Sequence, residues 1–239
     1  MITDGLKTLW KTVFGDTDEV IDGFFAVAYA PDRCKYILEE GKPVSALYWL
    51  DCEYEGGKLA YIYAVATDPA HRGKGLASRL LTETHAHLKA LGYAGAILKP
   101  AKGLFPFYQR LGYETCGYID RFCGEAGISV PGKELTIEEY AALRKAYLPK
   151  DAVIQEGVTL SYLHSFARFY AWDRALVSVT REDPIILEYL GDRDFAPAVL
   201  AFLGIQSQEL TTIGTQIPFV MYHPLNCTKA PGYLGISLE

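Results

Sequence analysis

The stretch with the clearest chemical use is YIYAVATDPAHRGKGLASRLL, residues 61–81, where a strand-like run enters a tight turn and passes directly into a long helical pattern. Gly73 and Gly75 let the backbone approach a ligand with no Cβ in the way. The amides of Gly73 to Ala77 would point outward from the positive end of the following helix, and Arg72 and Lys74 add cationic charge. That combination suits a phosphate or diphosphate. Three readings compete for it. One is a plain glycine-rich strand-to-helix connection. A dinucleotide fold would need G-x-G-x-x-G after the first strand of a βαβ unit and an acid about 20 residues on. Here three strands come first and the acid is missing. The P-loop pattern G-x-x-x-x-G-K-[ST] fails because lysine and serine do not follow Gly75.

Other suggestive residues point to structure rather than chemistry. His71 lies beside the turn and could meet a phosphate, but a loop histidine on the surface is common. His85 and His87 are two apart in a helical pattern, so they face different ways and cannot form an i, i+4 metal pair. His164 and His223 sit among apolar neighbours, as satisfied structural histidines do. Five cysteines (Cys34, Cys52, Cys116, Cys123, Cys227) are an odd number with no C-x-x-C pair, so neither a disulfide framework nor a zinc site is expected, and no metal at all. A reducing cytoplasm fits this usage.

The elements that must position the turn are legible from periodicity. With 239 residues, 50% hydrophobic and 22% charged, the chain can build one large domain or two small ones. Leu6, Leu9, Trp10 and Val13 recur at helical spacing, as do Val20, Ile21, Phe24, Phe25 and Val27 to Tyr29, with Gly15 between the two helices. After Pro31 come three strands, CKYILEEG, VSALYWLDCEYEGG and KLAYIYAVAT, joined by short turns into an antiparallel meander. Leu76, Leu80, Leu81, Leu88 and Leu91 then mark an amphipathic helix ending at Gly92. YAGAILKPA reads as a short buried strand, FPFYQRLG as a short helix and YETCGYIDRF as another strand. The order is two helices, three strands, helix, strand, helix, strand.

GEAGISVPG, from Gly124 to Gly132, breaks every periodicity and predicts a boundary between a domain of residues 1–124 and another of residues 132–239. In the second, Thr136 and Glu139 have capping-box spacing at the start of a helix. GVTLSYLHSFARFYAW predicts a further helix. Strands ALVSVT and PIILEYLG, a helix FAPAVLAFLG, and strands near ELTTIG, PFVMYHPL and YLGISLE complete a smaller α/β half with no glycine-rich turn. The formal charge of −6 argues against a nucleic-acid partner and mildly favours a cationic substrate. No run of 18 apolar residues and no secretory leader is visible, so a soluble chain with no membrane partner is expected.

The residues Arg72-Gly73-Lys74-Gly75-Leu76-Ala77 resemble the acyl-CoA signature R/Q-x-x-G-x-G/A of the GNAT superfamily of N-acetyltransferases. FPFYQRLGYE resembles that family's F-Y-x-x-x-G-F/Y-E segment, with Tyr108 and Gly112 in register. The similarity spans roughly residues 1–120. It implies an α/β (α+β) fold with a mixed, mostly antiparallel sheet flanked by helices, and acetyl-CoA as acyl donor. The resemblance further implies that Val65 and Thr67 offer backbone groups to the pantetheine arm, with Ala66 between them. It also implies that amides from Gly73 to Ala77, with Arg72 at the entry, hold the pyrophosphate, and that Tyr108 protonates the departing thiolate. In such a fold the aromatic residues Phe24, Phe25, Tyr29, Tyr48, Trp49 and Tyr54 fall on elements forming the acceptor cleft, where core packing accounts for most of them.

Two departures matter. Many relatives have asparagine seven residues before the tyrosine and alanine four before it, where this chain has Ala101 and Leu104. Relatives often carry a glutamate on the strand before the turn, and LAYIYAVAT has no carboxylate. The proton of an attacking amine would then go to Asp51, Glu53, Glu55, a strand-held water, or the terminal carboxylate of Glu239. The expected function is transfer of acetyl from acetyl-CoA to a primary amine of a small molecule or peptide, with a homodimer as an option. The rival is a non-catalytic acyl-CoA sensor. The second half is expected to be a degenerate GNAT-like companion that shapes the acceptor site, with its last strand inserting into the sheet of the first half.

Overall fold

The computed structural model describes residues 1–238. In chain order the elements begin α1 (Ile2–Phe14), α2 (Asp18–Val27), β1 (Cys34–Glu39), β2 (Lys42–Tyr54), β3 (Gly57–Thr67), α3 (Leu76–Ala90), β4 (Gly95–Leu98), α4 (Phe105–Gln109) and β5 (Glu114–Glu125). They continue β6 (Lys133–Leu135), α5 (Ile137–Tyr147), α6 (Val158–Phe166), β7 (Ala167–Trp172), β8 (Ala175–Thr180), β9 (Ile186–Gly191), α7 (Ala196–Leu203), β10 (Ser207–Ile213) and β11 (Ile217–Pro224). The first nine appear in the expected order. Among the described residues no helix is long and apolar enough to cross a membrane.

Contacts divide the chain into two units, Met1–Thr115 with Met221–Ala230, and Cys116–Val220 with Pro231–Glu239. The division differs from a single break at Gly124 to Gly132. Gly124 lies inside β5, and a short segment returns to the first unit from more than a hundred residues away.

In the first unit, local chemistry sets each boundary. α1 stops at Gly15, which adopts φ 77°, and α2 starts where the Thr17 hydroxyl accepts the Val20 amide. The two-residue loops Glu40-Gly41 and Glu55-Gly56 have positive φ at both positions, the geometry that matches the twist of a tight hairpin. β1, β2 and β3 therefore form an antiparallel meander, and β4 joins β3 in parallel. Residues Met221 to Pro224 of β11 then pair antiparallel with Leu98 to Gly95. The Tyr222 ring lies against Gly95, where any side chain would collide with it. Asn226 fastens the return segment by donating to the carbonyls of Lys89 and Tyr93 at 3.0 and 2.8 Å.

Alternation along the strands sends side chains to two faces. Leu47, Trp49, Ala60 and Ile62 pack with Leu80, Leu81 and Leu88 of α3. Tyr48 and Tyr63 face the other way, against Trp10 and Phe24 of α1 and α2. On the α3 side, His85 is 8% exposed, its Nε2 lies 2.8 Å from the Tyr113 hydroxyl, and its ring stacks at 4.0 Å on His223. Burial, aided by His223, pushes its pKa down to about 3. His85 is thus neutral in the fold, and its contribution is complete above the unfolded histidine pKa of about 6.5 and lost as pH falls from there. Melting curves should show stability falling by about 1.4 kcal/mol per pH unit below that point. His85→Gln should flatten the slope, and an unchanged slope would remove His85 as its cause.

In the second unit, β5 and β10 pair antiparallel, and β6 to β9 form a separate antiparallel sheet. The Thr136–Glu139 capping box is formed, with reciprocal bonds of 3.2 and 3.0 Å opening α5. Beneath α5 the Glu188 carboxylate is 2% exposed and accepts four bonds. Arg144 Nε and Nη2 donate at 2.8 and 2.9 Å, and the hydroxyls of Tyr140 and Tyr233 each donate at 3.0 Å.

Two expectations are corrected here. GVTLSYLHSFARFYAW is a helix only to Phe166; from Ala167 the aromatic, alternately buried residues pair with β8 instead. YLGISLE is not a strand over its described residues. Tyr233 makes one isolated bridge to Ala152, and the Gln155 side chain replaces a strand partner by bonding both the carbonyl and the amide of Ile236, at 2.6 and 3.0 Å. Glu239, the terminal candidate base, lies outside the described residues.

Candidate active site

The site begins where β3 leaves β4. Parallel pairing covers only Leu59, Ala60 and Tyr61 against Gly95, Ala96 and Ile97, and β4 ends at Leu98 while β3 runs on to Thr67. A bulge helps separate them. Ala64 has φ 48°, and the register with β2 shifts between Ala46 and Tyr48. An extra residue of this kind bends a strand and increases its twist. The second half of β3 therefore has a strand partner on one side only.

Beyond the bulge, the β3 terminus is pinned to its neighbour. Buried Ser45 donates from Oγ to the Ala66 carbonyl at 2.9 Å, and its Oγ lies 2.9 Å from Thr67 Oγ1. Arg72 Nε donates to the Thr67 carbonyl at 3.3 Å, so that carbonyl is already engaged. Val65 is half-buried against the core beside buried Ala66.

The turn comes next. Asp68 caps a short 3-10 turn, Pro69–His71, through the Ala70 amide at 2.8 Å. Gly73 and Gly75 follow with φ of 78° and 75°, and nothing lies within 4 Å of where a Cβ would stand on either. Glycine is needed there for backbone conformation, not for space. Gly75 is the N-cap of α3 and offers no side-chain acceptor. The first-turn amides of this 15-residue helix are thus left for an external acceptor, at the positive end of its dipole. Arg72 to Gly75 are exposed, whereas Leu76 packs on the core and anchors the helix start.

Tyr108 stands on α4, on the sheet face that α3 covers. Only 6% of it is exposed, with the Phe107 and Tyr113 rings at 5.0 and 5.6 Å edge-on. Its carbonyl receives the amides of Leu111 and Tyr113, which closes the turn around Gly112.

The candidate bases fare differently. Asp51 lies 2.8 Å from Arg33 Nη2 and 3.1 Å from Lys58 Nζ, and accepts the Tyr93 hydroxyl at 2.6 Å. Glu55 is ion-paired with Lys229. Glu53 is exposed at the far end of β2. His71 is held between Glu39 and Asp68. The expected aromatic group separates by face. Phe24, Phe25, Tyr29 and Tyr48 cluster together, Trp49 packs under α3, and Tyr54 bonds the Ala230 carbonyl at 3.1 Å. Trp10 and Tyr63 complete the cluster and were not expected in it, although the alternation of Tyr61 and Tyr63 on β3 was the signal.

Residues 3–116 match the family model described as an acetyltransferase (GNAT) domain. No curated protein matches the chain in sequence. A GCN5-related N-acetyltransferase from Kribbella flavida is similar in structure, with TM-score 0.67 and 17% identity over 94% of this chain and 70% of that one. A second, from Anabaena variabilis, has TM-score 0.63 and 16% identity over 93% and 70% of the two chains. At such identities these likenesses establish the fold, a mixed and mostly antiparallel sheet flanked by helices, rather than the chemistry. Together with the signature at Arg72 to Ala77, the family match places residues 3–116 of this chain in the GNAT acetyltransferase family.

Proposed function

We propose that the chain is an N-acetyltransferase that moves an acetyl group from acetyl-CoA to a primary amine of a small molecule or peptide in a ternary complex. The observation that carries this reading is the pair of left-handed glycines opening α3, directly after the strand that parts from β4. The amides from Gly73 to Ala77 fit a diphosphate, because they lie at a positive helix end opened by exposed Gly73 and Gly75, with cationic Arg72 and Lys74 beside them. The side of β3 that has no strand partner beyond Tyr61 fits an extended amide-bearing arm, as a sheet edge fits a strand, with Val65 offering the main-chain groups and the Thr67 carbonyl already bonded to Arg72.

Acetyl-CoA, the donor substrate, supplies the thioester. The amine nitrogen forms a bond to the acetyl carbon, the carbon–sulfur bond breaks, and Tyr108 gives its hydroxyl proton to the departing sulfur; the proton that the acylated nitrogen then sheds returns through solvent to the Tyr108 oxygen. An alkylamine with pKa about 10.4 must first lose a proton. With no carboxylate on β3 and with Asp51 and Glu55 ion-paired, that proton goes to solvent, and rate enhancement rests on positioning. The same ion pairs favour the second reading, an acyl-CoA sensor.

A thiol-release assay against a panel of amines separates the two. Amine-dependent CoA release is expected, and tight CoA binding without turnover would establish the sensor. Gly75→Val should weaken CoA binding by roughly 5- to 150-fold, because holding a β-branched residue at φ 75° costs about 1–3 kcal/mol. Unaltered affinity would remove the turn from the site.

A further inference from the structure

His71 sits between two carboxylates. Its Nε2 lies 3.1 Å from Glu39 Oε2, at the end of β1, and its Nδ1 lies 3.2 Å from Asp68 Oδ1. Ionised carboxylates only accept hydrogen bonds, and a neutral imidazole has one N–H and one lone pair. The neutral ring can satisfy one of the two acids, and its lone pair then faces the other at contact distance. Both contacts are favourable only for the imidazolium.

The Asp68 oxygen that meets His71 also accepts the Ala70 amide at 2.8 Å and so caps the turn Pro69–His71. The Asp68 amide is bonded to the Val44 carbonyl at 2.9 Å, the His71 amide to the Asp68 carbonyl at 2.8 Å, and Arg72 reaches back to the Thr67 carbonyl. This set of bonds fixes the backbone that enters Gly73. Loosening Asp68 from His71 therefore acts at the base of the coenzyme turn. Of the neighbouring cations, Arg72 follows His71 in sequence and acts on the Asp68 carboxylate, and Lys42 stands opposite Glu39 in the β1–β2 register. The Asp68 carboxyl is held below its ordinary pKa, chiefly by its bond to His71.

We propose that His71 is a positioning residue, a protonated clamp between Glu39 and Asp68 that holds the turn in its coenzyme-binding form. Acetyl-CoA then binds more tightly when the ring is charged than when it is neutral. The inference rests on the reading that this turn holds the pyrophosphate of acetyl-CoA.

The test is calorimetric titration of CoA into the full chain from about pH 5 to pH 8, the range in which a histidine changes charge. CoA carries a phosphomonoester that titrates in the same range, so the readout is the ratio of Kd for His71→Gln to Kd for wild type. That ratio should be roughly 3 to 5 at the acid end, the scale of a partly exposed charge-assisted pair, and approach about 1 at the alkaline end. Glu39→Gln, on a half-exposed side chain at the strand end, should reproduce part of the acid-end loss even if His71→Gln folds poorly. A ratio that is constant across pH, or an unaltered Kd in Glu39→Gln, would overturn the clamp while leaving the coenzyme reading in place. A wild type that binds no CoA at any pH overturns both.

Discussion

Tyr108→Phe is expected to lower kcat by about 100- to 10,000-fold, the usual contribution of a positioned acid, with the KM for acetyl-CoA nearly unchanged. The separation between the two constants is the informative part. The ring is packed in the core with Leu98, Leu80 and Tyr113, and phenylalanine keeps that packing. The melting temperature should therefore stay within a few degrees of wild type, which distinguishes lost chemistry from lost fold. Steady-state kinetics with the best amine from the panel would read both constants. If kcat survives intact, Tyr108 is a core aromatic only, and the proton for the leaving sulfur has another source.

Glu188→Gln is expected to destabilise the protein by about 3–5 kcal/mol, the range for breaking a buried ion pair from one side. The side chain is nearly isosteric, so no cavity forms. What changes is charge: the Arg144 guanidinium, also buried, would lose its anion while remaining protonated. Burial by itself raises the Glu188 pKa, but Arg144 and the hydroxyls of Tyr140 and Tyr233 outweigh it and hold the carboxyl below its ordinary value. Its stabilisation is accordingly complete above the unfolded carboxyl pKa of about 4.3 and lost as pH falls through the lower folded value. Urea titration of the variant at neutral pH reads the loss directly. A change under about 1 kcal/mol would mean that water reaches Arg144 and that the pair is not truly buried.

The parts of this molecule that could be read from sequence are those set by local rules. Gly73 and Gly75 stand out because few other residues adopt φ near 75°, and the helix after them announces itself through Leu76, Leu80, Leu81 and Leu88. Thr136 and Glu139 form the bonds that their spacing implied. Parts that depend on distant partners were not legible. Periodicity could not show that ARFYAW pairs with β8 rather than continuing α6, because an apolar run of that length suits either state. Nor could it show that Gln155 would satisfy Ile236 and keep YLGISLE out of a sheet. At the site, the arginine, lysine and tyrosine partners of Asp51 and the clasp of His71 between two acids are tertiary facts. They turn apparent free bases into structural ions.

The return of residues 221–230 to the first unit bears on how the protein is made. β4 lacks its antiparallel neighbour, and Gly95 its aromatic cover, until Met221 to Pro224 have been synthesised. A ribosome that has released only the first 115 residues has produced the whole turn from Arg72 to Ala77, yet the core under it still lacks Met221 and Leu225. Nascent chains must therefore wait, with one strand margin bare, through the translation of an entire second sheet. A gene cut after the signature motifs would express that waiting state permanently.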